Sequence, residues 1–181
     1  LGAEGADTAG VTAAAGVTLG AEVDFVDVDP VTYNLNPAEL EAKITPNTKA
    51  ILPVHLYGQC CDMDAILAIA RKHGVAVVED ACHAVGAEYK GHKAGSMGTT
   101  GCFSFHEQKN ISTLGEGGMV VTNDVAIFER VALSTVGRPG LADEFFLAQQ
   151  DGAYQPGVAN DQARDAQICL AHPEARRWVE Q

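Results

Sequence analysis

A chain of 181 residues carries one domain, or one domain and part of a second, at roughly 150 residues per domain. Apolar residues make up 46% of it and charged residues 20%, which supports a buried core and excludes a disordered or fibrous chain. Twenty-four acidic against twelve basic residues leave a net charge of −12, which argues against any broad surface for nucleic acid or anionic membrane.

Residues 1–20 are small and show no clear period. The run VDFVDVD over 23–29 alternates as a strand does and ends at Pro30. Asn36 then caps a helix over 37–44, with Pro37 in first position and Glu39 three residues past the cap to complete a capping box. KAILPVHLYG over 49–58 reads as a buried strand from its apolar continuity. Asp62 caps the next helix, in which Met63, Ile66, Leu67 and Ala70 share a face. Gly74 ends that helix after Arg71, Lys72 and His73, cations suited to the negative helix terminus. VAVVED over 75–80 is a doubly buried strand whose acids come only at its end. Further strands are expected over 100–105 and 118–122, and a helix over 126–133. Gly and Pro make 137–157 a loop or crossing, and 160–181 returns to a helical pattern broken at Pro173. Strands alternating with helices define an α/β domain with a mainly parallel sheet. Such sheets bind ligands beyond the carboxyl ends of their strands, where Asp80 stands.

No apolar run approaches the ~20 residues of a membrane helix, and no signal segment opens the chain. A soluble, cytoplasmic protein is the expectation. Five cysteines, mostly beside apolar neighbours, read as reduced core thiols. The sequence opens at Leu1 and stops at Gln181 within a helical pattern, so it reads as a fragment.

The familiar nucleotide and metal signatures fail. GEGG over 115–118 is no dinucleotide fingerprint, and HEQKN from His106 has Asn110 where a zinc-protease helix needs its second His. Cys60 and Cys61 are adjacent, not spaced as a zinc pair, so no metal is expected. Cys82 and His83, as strand neighbours, would point to opposite faces. His55 and His106 are expected to pack or hydrogen-bond near the site with no assigned role, and Glu116 to be structural.

One stretch, over 79–124, concentrates reactive groups. Asp80 ends a strand, His83 follows three residues later, Ser104 lies in the next aromatic strand, Lys109 sits just beyond it, and a Gly-rich turn follows. A pyridoxal phosphate site needs an amine, a carboxylate at the ring nitrogen, and hydroxyls and amides for the phosphate. Spacing alone does not decide it.

The ordered motifs EDACHA, GSMG, CFSF, KN, GEGG and VTND, preceded by FVDVDPVTYNLNP, ITPNTKAILPVHLYG and DMDAI, resemble the DegT/DnrJ/StrS family of pyridoxal-phosphate sugar aminotransferases over 21–124. The resemblance implies the large domain of PLP-dependent transferase fold type I, aspartate aminotransferase-like, with a mainly parallel sheet in an α/β/α sandwich. On this reading residues 1–136 form the cofactor-binding large domain, incomplete at its N-terminus, and 137–181 lead towards a C-terminal small domain. Lys109 matches the lysine that forms the Schiff base and shuttles protons. Asp80 matches the carboxylate facing the pyridine nitrogen, His83 the Gln or His beside the ring, and Ser104 the hydroxyl reaching the phosphate. Asn160, in VANDQARDAQ, matches an Asn that reaches the cofactor phosphate of the neighbouring subunit, although the family's Arg in that run falls on Gln162. Thr8 and Thr12 match the Thr-x-x-x-Thr region, with Thr8 near the place of the family's stacking aromatic. The family's earlier Ser-Gly-Thr phosphate turn lies outside this sequence.

The implied activity moves an amino group from an amino acid, glutamate by resemblance, to a keto group of a nucleotide-linked sugar, in a homodimer. Two alternatives stand beside it. A deoxysugar dehydratase of the same family would carry His in place of Lys109, and a non-catalytic relative would keep the sheet and lose the cofactor.

Overall fold

The computed structural model describes residues 12–113, 116–136, 145–147 and 166–170. A first helix, α1, covers 12–18. The alternating run over 23–29 does not become a sheet strand; its ladder contact is an isolated bridge between Val28 and Leu35. Its own acids compete for the main-chain donors a ladder would use. Asp24 accepts from the N–H of Phe25 at 2.8 Å, Asp27 from that of Val28 at 2.9 Å, and Asp29 from those of Val31 and Thr32 at 3.0 and 2.8 Å.

Helix α2 (Pro37–Lys43) starts as the capping pattern predicts, with the Asn36 side chain accepting from Ala38 N–H at 3.1 Å. The box closes differently. Glu39 takes the side-chain amide of Asn36 at 3.2 Å, because the Asn36 N–H already donates to the Asp27 carbonyl at 3.0 Å. The strand expected over 49–58 is cut to β1 (Ala50–Ile51). Pro53 has no N–H to continue a ladder, and the chain turns through a 3-10 segment, Leu56–Gly58. It nevertheless stays beside the next strand: Asp80 N–H donates to the Pro53 carbonyl at 2.9 Å and His55 N–H to the Asp80 carbonyl at 3.0 Å.

Helix α3 (Met63–His73) is capped by Asp62, buries Met63, Ile66 and Ala70, and ends at Gly74 as its pattern requires. Strand β2 (Ala76–Asp80), the hairpin β3 (Glu88–Tyr89) and β4 (His92–Lys93), and β5 (Thr100–Ser104) follow, then β6 (Glu116–Thr122) and α4 (Val125–Val136). Two short strands complete the described residues, β7 (Phe145–Leu147) and β8 (Ala166–Leu170). They correct the loop expected over 137–157 and the helix expected over 160–181. FFL and AQICL are short apolar runs whose period cannot separate helix from strand, and β8 gains a five-residue ladder on β6. Pro173 and its neighbours lie outside the described residues.

The main sheet runs β1-β2-β5-β6-β8-β7, with every ladder parallel except β5 with β6. The α/β reading with a mainly parallel sheet therefore holds. Among the described residues no helix is long and apolar enough to cross a membrane. One core cluster joins α2, β1, α3 and β2 through Leu40, Ile51, Ile66 and Val77. A second gathers Ala81, Ala84, Ala94, Phe103 and Val121 beyond the end of β2.

Buried Asn34 supports the turn that follows β1. Its side chain donates to the Gln59 carbonyl at 2.9 Å and accepts from Leu56 N–H at 3.1 Å, spanning both ends of the 3-10 segment. Asn34→Ala takes the side-chain donor from the Gln59 carbonyl and leaves Leu56 N–H with the Val54 carbonyl at 3.1 Å, and should cost about 1–3 kcal/mol, read as a lower urea midpoint at unchanged slope. A loss below about 0.5 kcal/mol would show that water replaces both bonds.

Candidate active site

The site grows from the alternation of two adjacent parallel strands. Successive side chains in a strand point to opposite faces. In β2, Val77 and Glu79 are buried on one face while Asp80 turns to the other; in β5, Gly101 and Phe103 share the first face while Cys102 and Ser104 share the second. The register sets Asp80 opposite Cys102 and Glu79 opposite Gly101. Asp80 and Ser104 thus end neighbouring strands at the same carboxyl edge, where α/β sheets bind ligands.

Lys109 reaches this edge from the turn between β5 and β6. Its N–H donates to the His106 carbonyl at 2.9 Å, and Thr113 N–H donates to the Phe105 carbonyl at 3.1 Å, which closes the turn on itself. Lys109 Nζ lies 3.0 Å from His83 Nε2. Asp80 Oδ2 accepts from the Thr12 hydroxyl at 2.5 Å, and its Oδ1 accepts from Cys82 N–H at 3.1 Å. Ser104 Oγ accepts from His106 N–H at 3.4 Å. Of the residues singled out in the sequence, Lys109, His83, Asp80, Thr12 and Ser104 converge on this edge. Asn160 and Thr8 lie outside the described residues.

Residues 82 and 83 sit in a turn past β2, which corrects the expectation that they are strand neighbours on opposite faces. Burial first, then the neighbouring Asp80 charge and its hydrogen bond, push the Cys82 thiol far above its ordinary range, while Lys109 pulls in the opposite sense. A thiol so disposed stays protonated and is no nucleophile.

Two residues, Glu79 and Tyr57, escaped the sequence reading, while His55 hydrogen-bonds as expected. Glu79 is fully buried, with Oε1 accepting from Met97 and Gly98 N–H and Oε2 from Gly95 N–H at 2.8 Å and from His55 Nε2 at 2.9 Å. His55 Nδ1 accepts from Cys61 N–H at 3.1 Å, which fixes the ring proton on Nε2 and the bond to Glu79 as its donation. Tyr57 is the second, with its ring 6.3 Å from that of His83 and inclined 16° to it. The signal available for Glu79 was the paired acid of EDACHA, since adjacent strand residues cannot both face the site.

Comparison with known proteins agrees with this geometry. Residues 8–153 match the model of the DegT/DnrJ/EryC1/StrS aminotransferase family, enclosing the 21–124 stretch that carries the resemblance. A pleiotropic regulatory protein from Geobacillus stearothermophilus is 42% identical over 170 residues, covering 94% of this chain and 44% of its own length. GDP-perosamine synthase from Caulobacter vibrioides is 61% identical over 105 residues, covering 58% of this chain and 28% of its own. An aminotransferase of known structure from Psychrobacter cryohalolentis superposes with a TM-score of 0.67 at 37% identity, over 86% of this chain and 38% of that one. The chain spans less than half the length of these relatives.

Proposed function

The chain belongs to the DegT/DnrJ/EryC1/StrS aminotransferase family, and from that membership and the site we propose a pyridoxal-phosphate aminotransferase acting on a keto group of a nucleotide-linked sugar. The observation that carries the reading is the 3.0 Å approach of Lys109 Nζ to His83 Nε2 at the strand edge that also bears Asp80 and Ser104. The donor set fits the cofactor chemically: an amine, a carboxylate, and a hydroxyl at a neighbouring strand end. Pyridoxal phosphate, when bound, supplies an aldehyde that bonds amines and a protonated ring that accepts an electron pair.

The chain's own residues supply the rest. Lys109 offers the amine and, once free, moves a proton at Nζ. His83 holds Nζ in place through Nε2. Asp80 holds the proton on the ring nitrogen, and Thr12 acts through Asp80 by occupying Oδ2. Ser104 and Asn160 are assigned to the phosphate. The amino donor is an amino acid, glutamate by family, and the working unit is a cytoplasmic homodimer. Residues 1–136 are assigned to the large domain and 137–181 to the approach to a further domain. Lys109 itself favours transfer over sugar dehydration, for which the resemblance implies His at this position.

The test adds pyridoxal phosphate to the purified chain and follows visible absorbance, borohydride fixation and peptide mass. A band whose fixed adduct maps to Lys109, and which Lys109→Ala abolishes, is expected. Absence of the band in a folded chain selects the non-catalytic alternative.

A further inference from the structure

Tyr57 occupies a backbone conformation that its side chain disfavours. Its φ of 53° and ψ of 29° lie in the left-handed region, an outlier for a bulky residue. Burial does not repay the strain, because the residue is 64% exposed. Strain of this kind persists where surroundings over-determine it and gathers at functional sites. Asn34 holds both ends of the Leu56–Gly58 turn, and the His55 N–H ties its start to the Asp80 carbonyl at 3.0 Å. Gly58, at φ 81°, lies so close that a Cβ there would stand 3.4 Å from the His83 carbonyl oxygen. The turn therefore rests on the His83 backbone while the Tyr57 ring lies parallel to the imidazole, with centroids 6.3 Å apart, within the range of interacting ring pairs.

We propose that Tyr57 is a positioning residue for His83: the strained turn lays its ring along the imidazole and so fixes the plane in which Nε2 faces Lys109 Nζ. An imidazole turns about two side-chain bonds, and its Nε2 direction is lost unless something confines the ring. A parallel aromatic wall does this without a hydrogen bond. The inference rests on the proposed role of Lys109 and His83, and its test separates the two.

Tyr57→Asn and Tyr57→Gly remove the ring while suiting the left-handed backbone, and Tyr57→Phe keeps the ring. In the full chain without cofactor, nitrogen-15 NMR reads the His83 ring signals and circular dichroism reads the melting midpoint. With pyridoxal phosphate, borohydride fixation times the covalent capture at Lys109. Both ring-deleting variants should hold or raise the midpoint, shift or broaden the His83 ring signals, and slow capture about tenfold, with Tyr57→Phe indistinguishable from the parent. Unchanged His83 signals in Tyr57→Asn and Tyr57→Gly would overturn the proposal. So would a midpoint lowered in both, which would make the ring a stabilising element. If the parent chain itself captures no cofactor, the aminotransferase reading falls, and the NMR comparison alone still decides the role of Tyr57.

Discussion

Glu79→Ala should cost about 4–5 kcal/mol of folding stability, a large share of the roughly 5–15 kcal/mol that a domain holds. Among the described residues the carboxylate accepts from the N–H groups of Gly95, Met97 and Gly98 and from His55 Nε2. Removing it strands buried donors, and an orphaned buried donor costs about 1–3 kcal/mol. Apolar replacement offers no escape, because three of the four donors are main chain and stay whatever side chain replaces Glu79. Glu79→Gln should fall between, at roughly 2–3 kcal/mol, since one carboxylate oxygen becomes an amide whose hydrogens face two donors. His55 cannot relieve this by moving its proton, as its Nδ1 is engaged by Cys61 N–H at 3.1 Å. Urea unfolding of the three chains measures the series. A Gln variant within about 0.5 kcal/mol of the parent would mean that the loop over 94–98 finds other acceptors.

How much of this was open to sequence reading depends on whether the signal was local. Helix α3 was legible from end to end, because Asp62, the spacing of Met63, Ile66 and Ala70, and Gly74 all act within the segment. Strand β2 was legible from its continuous apolar run, which only a doubly covered strand tolerates. The run over 23–29 misled because alternation reports a pleat and says nothing about a partner; its aspartates took the main-chain donors instead. AQICL misled in the opposite sense, since β6 supplied a ladder that no local period records. At the site, Asp80, His83, Ser104 and Lys109 were legible as an ordered set. Glu79 was not, because a carboxylate is buried only when donors from elsewhere meet it, and these come from a loop sixteen to nineteen residues away. Tyr57 was hidden for a related reason: its left-handed backbone is imposed by Asn34, more than twenty residues upstream.

Gly101→Ala should destabilise the chain by about 3–4 kcal/mol, above the usual range for an added methyl. A Cβ at Gly101 would stand 2.5 Å from the Gly95 Cα and 2.6 Å from its carbonyl carbon. These are backbone atoms, and no rotamer change moves them aside. Gly95 cannot retreat alone, since its N–H is held by Glu79 Oε2 at 2.8 Å and the Phe103 ring lies against its other side. The loop over 94–98 must lift as a unit, and lifting it breaks the bonds that satisfy Glu79, which faces Gly101 across the β2–β5 ladder. The two substitutions therefore damage one shared element. In a double-mutant cycle, Gly101→Ala should cost less in the Glu79→Ala background than in the parent, by roughly 1–3 kcal/mol. Strict additivity would show that the added methyl is accommodated within β5, leaving the loop on Glu79. The same displacement reaches the candidate site, because Cys102 follows Gly101 and pairs with Asp80. Capture of pyridoxal phosphate at Lys109 should consequently fall in Gly101→Ala even under conditions where the variant remains folded.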